Sequence, residues 1–335
     1  MQRFFQRGAS KRAVLGTVLL FSCSACLRAQ ASTSSSPATP YREVTDEIGR
    51  TIRVSQSVRR IVSLAPSLTE TVYALGLQDR LVADTDFCDF PADAKLKPKV
   101  GGAINPSLET IASLHPDLVL VTKSLNRLET VLALQDLGIP SYTTDPQNID
   151  AILSSIQRLA DVLGISETGR SVAKGLEARL ADIQQRVTSL SPRHVLFVVW
   201  MEPLQSVGKD TFIADALRRA GAISIVDSSQ NWPQVSLEEV VRLQPDFLVF
   251  TESHSQAAVQ NFESLATLPG WRILDAVRHK QYALVSDAIN RPAPRIVDAI
   301  DELARQLHPE AYEEKTAPPK QAQPSAASQE HACAR

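Results

Sequence analysis

The sequence predicts an α/β protein: two Rossmann-like lobes with parallel sheets, joined by a single long rigid helix, with a ligand cleft between the lobes. Short apolar runs of four or five residues alternate with helical segments, as buried parallel strands do. The stretch Ser107 to Thr122 (SLETIASLHPDLVLVT) reappears as Ser236 to Thr251 (SLEEVVRLQPDFLVFT), with seven of sixteen positions identical. A spacing of 129 residues, from 107 to 236, is far too long for a solenoid repeat, so it indicates two lobes of one plan. Between the halves, Ser166 to Ser189 has no proline and carries Val172, Leu176, Leu180, Ile183 and Val187 at helical spacing.

Taken in order, residues 1–31 read as a secretory signal: Arg3, Arg7, Lys11 and Arg12 precede an uncharged run from Ala13 to Leu27 that is too short to span a bilayer. Two processing patterns are present. Ala29-Gln30-Ala31 has the small-x-small form of ordinary cleavage, and Leu20-Phe21-Ser22-Cys23 resembles a lipoprotein box that would lipidate Cys23. Residues 32–41 form a Ser/Thr/Pro linker. The first lobe, 42–165, opens with two short strands around Gly49, then a strand at Ile61 to Leu64. Ser67 is expected as a helix N-cap with Glu70 completing a capping box, and Gly76 as the stop. A helix from Ser107, a strand over Leu118 to Val121, a helix over Arg127 to Leu137 and a strand at Tyr142 follow. The connecting helix takes 166–190. The second lobe, 191–308, repeats the plan with strands at Val195 to Val199, Phe247 to Phe250 and Tyr282 to Val285, and helices at Thr211 to Arg219, Leu237 to Leu243 and Pro294 to Leu307. From 309 to 335 apolar periodicity stops and Pro, Ala, Gln, Glu and Lys take over, the composition of a disordered tail.

A net charge of -2 leaves no electrostatic footprint for nucleic acid. Cys23 and Cys26 fall in the signal, and the remaining Cys88 and Cys333 make no disulfide framework. Cys88 reads as a small buried cysteine. No phosphate loop, nucleophile elbow, cysteine cluster or metal-ligand helix occurs, so the chain is expected to be no enzyme and to hold no cofactor or metal. Two tryptophans suit a large apolar ligand instead. Trp232 precedes a proline in a loop leading to a helix, and Trp200 leaves the sheet at the end where open α/β sheets bind ligands.

Ile61-Val62-Ser63-Leu64-Ala65-Pro66-Ser67-Leu68-Thr69-Glu70, Asp89-Phe90-Pro91, Leu108-Glu109, Pro116-Asp117-Leu118-Val119, Trp232-Pro233-Gln234-Val235-Ser236 and Ser286-Asp287…Arg291…Pro294-Arg295 together resemble the periplasmic cobalamin-binding proteins of ABC importers. The resemblance covers about residues 42 to 308. It implies a periplasmic carrier, monomeric when free, that captures cobalamin or a related corrinoid and delivers it to a dimeric ABC permease. Phe90, Trp200, Trp232, Asp287, Arg291 and Arg295 would contact the ligand, and Glu109 and Glu238, one per lobe, would dock on permease arginines. Two departures stand out: Phe90 replaces a tyrosine, and the loop from Gly101 to Asn105 lacks a tryptophan near Ala103. The alternative cargo is haem or a ferric siderophore. Haem needs an axial Tyr or His, and the candidate loops hold no histidine. An anionic siderophore needs a basic cluster, for which Arg291, Arg295 and Lys209 are available, diluted by Asp287 and Glu202.

Overall fold

A computed structural model describes residues 40–252 and 262–313. The signal, Cys23, Cys26, most of the linker, Cys333 and the chain from 314 onward lie outside the described residues. A hairpin of β1 (Tyr41–Thr45) and β2 (Thr51–Ser55) pairs antiparallel around the turn at Gly49. The first sheet holds β3 (Ile61–Ser63), β4 (Leu81–Ala83), β5 (Leu118–Thr122) and β6 (Ser141–Thr144) in the order β4-β3-β5-β6, every pair parallel. Its helices are α1 (Pro66–Ala74), α2 (Leu108–Ser113) and α3 (Leu128–Asp136).

Two helices follow, α4 (Ile149–Val162) and α5 (Ser166–Val187). The second half adds β7 (Arg193–Phe197), a small hairpin of β8 (Trp200–Met201) and β9 (Leu204–Gln205), α6 (Phe212–Arg219), β10 (Ala222–Ser224), α7 (Leu237–Leu243), β11 (Phe247–Thr251), β12 (Tyr282–Val285) and α8 (Ile296–Leu307). Its sheet, in the order β10-β7-β11-β12, is also parallel throughout. Among the described residues no helix is long and apolar enough to cross a membrane.

The sequence repeat is a repeat of backbone. Ser107 and Ser236 cap α2 and α7, each accepting a bond from a first-turn N–H at 3.2 Å. The turn after each helix passes through a left-handed residue at the same place, His115 at φ 45 and Gln244 at φ 44. The repeated aspartates then tie each following strand to its neighbour. Asp117 Oδ2 accepts from the N–H groups of Arg59 (2.7 Å) and Arg60 (2.9 Å), and Asp246 Oδ2 from that of His194 (2.7 Å). A carboxylate holding backbone donors at the mouth of a parallel pair explains why Pro-Asp recurs.

At 22 residues and 1.5 Å per residue, α5 is about 33 Å long. It does not stand alone between the lobes. α4 packs along it, and the two meet closely at Gly169, where a Cβ would come within 2.3 Å of the Ala160 Cβ. The start of α4 is fastened to the second half: the Ile149 N–H donates to Asp215 Oδ2 (2.9 Å), and Arg219 pairs with Asp150 (2.7 Å). One apolar cluster runs from Ile61 and Leu120 through Ile152, Leu176 and Leu180 to Val195, Ile213 and Leu303. The sequence periodicity marked α5; the companion role of α4 lies in tertiary contacts that one helix's pattern does not encode.

Past α8, Pro309–Ala311 forms a 3-10 turn and the Tyr312 hydroxyl donates to Asp301 at 3.1 Å. The expected tail boundary at 309 is therefore corrected: the fold continues at least to Tyr312, because this ring packs under the guanidinium of Arg305.

Candidate functional site

In a parallel sheet every strand ends at the same edge, and ligands bind beyond that edge. The segments leaving β3, β4, β7, β10 and β12 at their carboxyl ends carry Glu70 (within α1), Asp89 and Phe90, Trp200, Trp232, and Asp287 to Arg295 in turn.

The segment after β3 corrects one expectation. Ser67 is not the N-cap of α1, and Glu70 forms no capping box. Ala65 is the cap residue, with no side-chain bond, and Pro66 occupies the first helical turn. Proline is pre-set for that position, so the helix starts before Ser67. Glu70 is then released from capping and faces the other half of the molecule. Its side chain is only 2% exposed. Arg295 grips it with two parallel bonds, Nε to Oε2 and Nη2 to Oε1, both 2.9 Å, and Arg291 Nη1 donates to Oε1 at 2.7 Å. Arg291 also donates to Asp89 Oδ1 at 2.7 Å. The Arg295 guanidinium lies over the Phe90 ring, 3.6 Å from its centroid.

This ion network joins the loops of the two lobes directly. Burial alone would push Asp89 up and Arg291 down. The hydrogen bonds and charges between them, with those of Glu70, outweigh it, so Asp89 sits below the usual carboxylate range and Arg291 is held more firmly protonated. Phe90, Arg291 and Arg295 are thus brought together. Arg295 stands at the start of α8, and its salt-bridge partner Glu70 belongs to the other lobe. Asp287 opens the 3-10 turn Asp287–Asn290, which leads into the same segment.

Trp200 and Trp232 form a second group. Gln205 pairs with Trp200 in the β8–β9 hairpin and bridges to Gln234 on its other side, and the Ser206 N–H donates to the Pro233 carbonyl at 3.1 Å. Trp200 is held by its indole N–H, which donates to the Glu202 carbonyl at 2.8 Å. Both rings remain about half exposed, at 54% and 50%. Large aromatic faces left in water at the strand-end edge are available for a flat apolar ligand. Lys209, the remaining basic candidate, pairs with Asp227 at 2.7 Å.

Two residues at the site were not singled out from the sequence. Glu70 was hidden behind its capping pattern. Phe87, 64% exposed, lies beside Gly102, whose Cβ would be 3.8 Å from the ring. It stands against the loop where a tryptophan was missed, and the spacing Phe-x-x-Phe in Phe87-Cys88-Asp89-Phe90 was the available signal.

Behind this loop Cys88 is buried, with its Sγ 3.2 Å from the hydroxyls of Thr69 and Thr85, and burial pushes its thiol up. It is a packed thiol. Asp84 is fully buried too. Lys99 Nζ sits 2.6 Å from Oδ1, while Oδ2 has no partner, and burial raises this carboxyl to about 6 despite Lys99. Between about pH 4 and 6 the folded chain keeps a proton on Asp84 that the unfolded chain has lost. Its contribution to stability is therefore greatest below pH 4 and falls by about 2–3 kcal/mol as pH rises through 6. Denaturant unfolding at pH 4 and pH 7 is expected to show that decline shrink in Asp84→Asn relative to the parent chain; equal declines in the two would refute it.

Glu109 and Glu238 fall in the first turns of α2 and α7, both exposed. Neither carboxylate has an ion-pair partner among the described residues. Because each helix runs back to the start of the strand that follows it, its first turn points to the strand-end edge. Both glutamates share the side of the molecule that carries the ligand loops, without joining them. Among the described residues no group of His, Cys, Asp and Glu is placed to hold a metal ion.

Residues 61–287 match the profile of the periplasmic binding protein family. An uncharacterised ABC transporter substrate-binding lipoprotein of Bacillus subtilis is 30% identical over 279 residues, 81% of this chain and 87% of that one. The vitamin B12-binding protein of Vibrio cholerae serotype O1 is 30% identical over 251 residues, 74% of this chain and 88% of its own. Among solved structures, the apo periplasmic haem-binding protein of Roseiflexus sp. RS-1 superposes with a TM-score of 0.68 at 26% identity, covering 76% of this chain and all of that one.

Proposed function

The chain belongs to the periplasmic binding protein family of ABC transporter substrate-binding proteins, and from that premise we propose that it carries cobalamin or a related corrinoid to its permease. Its work is carriage without reaction, outside the cytoplasm. The N-terminal signal, with lipidation at Cys23 as the alternative processing, accounts for how it arrives there.

The observation that supports a corrinoid is the charge state of an aromatic site. Arg291, Arg295 and Lys209 each already face a carboxylate within 2.9 Å, so the cations that stand beside the rings are charge-matched. A corrin ring fringed with primary amides suits that surface. Haem carries two carboxylates and a ferric siderophore is often anionic, and both would need cations free to meet them. The haem reading keeps one point in its favour, the similarity of the fold to the Roseiflexus haem-binding protein.

In this reading the ligand stacks on Trp232 and Trp200, with Phe90 as a further ring, and amides are oriented by Asp287 and by the outer N–H groups of Arg291 and Arg295. Phe87 supplies aromatic surface beside the tryptophan-free loop from Gly101 to Asn105. Calorimetric titration with cyanocobalamin tests the assignment: saturable one-to-one binding is expected, and its absence alongside tight haem binding would replace the corrinoid by haem. Trp232→Ala is expected to weaken cyanocobalamin by about 1.5 kcal/mol, roughly tenfold, through loss of the stacked face. An unchanged dissociation constant would remove Trp232 from the site.

Glu109 and Glu238 are assigned to docking. Two exposed carboxylates at equivalent places in two lobes suit a permease dimer that presents an equivalent basic site from each subunit.

A further inference from the structure

We propose that Glu70 sets the charge class of the ligand: by neutralising Arg295, it makes the cleft accept an uncharged, amide-rimmed ring and refuse one that carries carboxylates. The inference rests on the corrinoid reading. Two arginines, Arg291 and Arg295, face two carboxylates, Glu70 and Asp89, and the four groups sum to zero charge.

The two acids are not equivalent. Asp89 is half exposed and stands at the solvent end, whereas the Glu70 side chain is 2% exposed and lies beneath both arginines. Arg295 has five N–H groups and commits Nε and Nη2 to Glu70. Its plane is also fixed by the Phe90 ring, so it cannot swing outward to an arriving anion without giving up that contact. A carboxylate on the ligand would have to compete for a guanidinium whose charge is already met. Winning it would strand Glu70, a desolvated anion with no other cation than Arg291 in reach. A primary amide makes no such demand. Its oxygen can accept from guanidinium N–H groups that Glu70 does not use, and its NH2 can donate to a carboxylate oxygen.

Removing the Glu70 charge should therefore convert the site. Full-length protein, Glu70→Gln and Glu70→Gln/Arg295→Gln are titrated with cyanocobalamin and, separately, with haem, at low and high salt, with circular dichroism to establish folding. Glu70→Gln is expected to bind haem at least tenfold more tightly than the parent chain. The gain should shrink in high salt and vanish in the double variant. Asp89→Asn, altered at the half-exposed end and so of small consequence for folding, uncovers Arg291 rather than Arg295 and should gain about threefold; if Glu70→Gln does not fold, it tests the charge balance of the four groups, and Glu70→Met tests Glu70 itself. Haem affinity unchanged in both Glu70→Gln and Asp89→Asn overturns the proposal, as does a gain that survives loss of Arg295 or a parent chain that binds haem tightly with Glu70 in place. A parent chain that fails to bind cyanocobalamin while Glu70→Gln still gains haem would defeat the corrinoid assignment and leave the role of Glu70 standing.

Discussion

Replacing Glu109 and Glu238 together by arginine is expected to stop transport while the purified protein binds its ligand as before. This outcome follows from where the two carboxylates stand. Each is exposed, in the first turn of a short helix fixed by a serine cap, and each lacks an ion-pair partner among the described residues. Reversing them forfeits only the helix-dipole contribution of an exposed first-turn carboxylate, about 0.3–1 kcal/mol each, and touches none of Phe90, Trp200, Trp232, Arg291 or Arg295. At a permease surface presenting arginines, two attractions would become two repulsions, and like-charge contacts at an interface cost several kcal/mol. The single variants should each keep partial transport, since one lobe still docks. Uptake assays in a strain lacking the native carrier, paired with calorimetry on the purified variants, decide the matter. Continued transport by the double variant would take these glutamates out of the docking surface.

The second large effect concerns a residue with no chemistry. Gly208 lies against the segment that leads into Trp232: its N–H donates to the Asn231 carbonyl at 3.1 Å, and Lys209 N–H to the Ser228 carbonyl at 2.9 Å. A Cβ on Gly208 would sit 1.8 Å from the Gln230 carbonyl oxygen and 2.8 Å from that of Ser228. Those are backbone atoms, so no rotamer change relieves the overlap and the loop itself must move. Gly208→Ala is expected to cost about 3 kcal/mol, lowering Tm by roughly 5–10 °C. Displacing the Trp232 loop should also weaken the ligand at least as much as Trp232→Ala does. Thermal melts and calorimetry would show it; a variant with parental Tm and affinity would mean that the loop is free to yield.

Much of the fold was legible because its signals are local. Apolar runs marked strands, Gly49, Gly76 and Gly138 marked stops, and Ser107, Thr211 and Ser236 marked helix starts, each of which caps a helix in the structure. The repeat announced two lobes, and its backbone equivalence extends to His115 and Gln244. The rings of the candidate site were legible as exposed rather than core aromatics, since Trp200 and Trp232 stand half exposed at the strand-end edge. It was not legible in its charges. Glu70 obeyed a local capping rule as a sequence, yet it lies 225 positions from the arginine it grips, and no window of the chain contains both. Pro66 was the clue: a proline that starts the helix two residues early removes the cap and frees the glutamate. Asp84 escaped for a similar reason, because its burial depends on packing between β4 and the segment around Lys99.

The apolar cluster that passes from the first sheet through α4 and α5 to the second ties both lobes to one cooperative free energy. Any binding energy won at the cleft is then shared by the whole chain, as RT ln(1 + [L]/Kd) of added resistance to unfolding. For a protein that works outside the cytoplasm, where proteases sample opened chains, occupancy would become longevity: loaded carriers are expected to outlast empty ones.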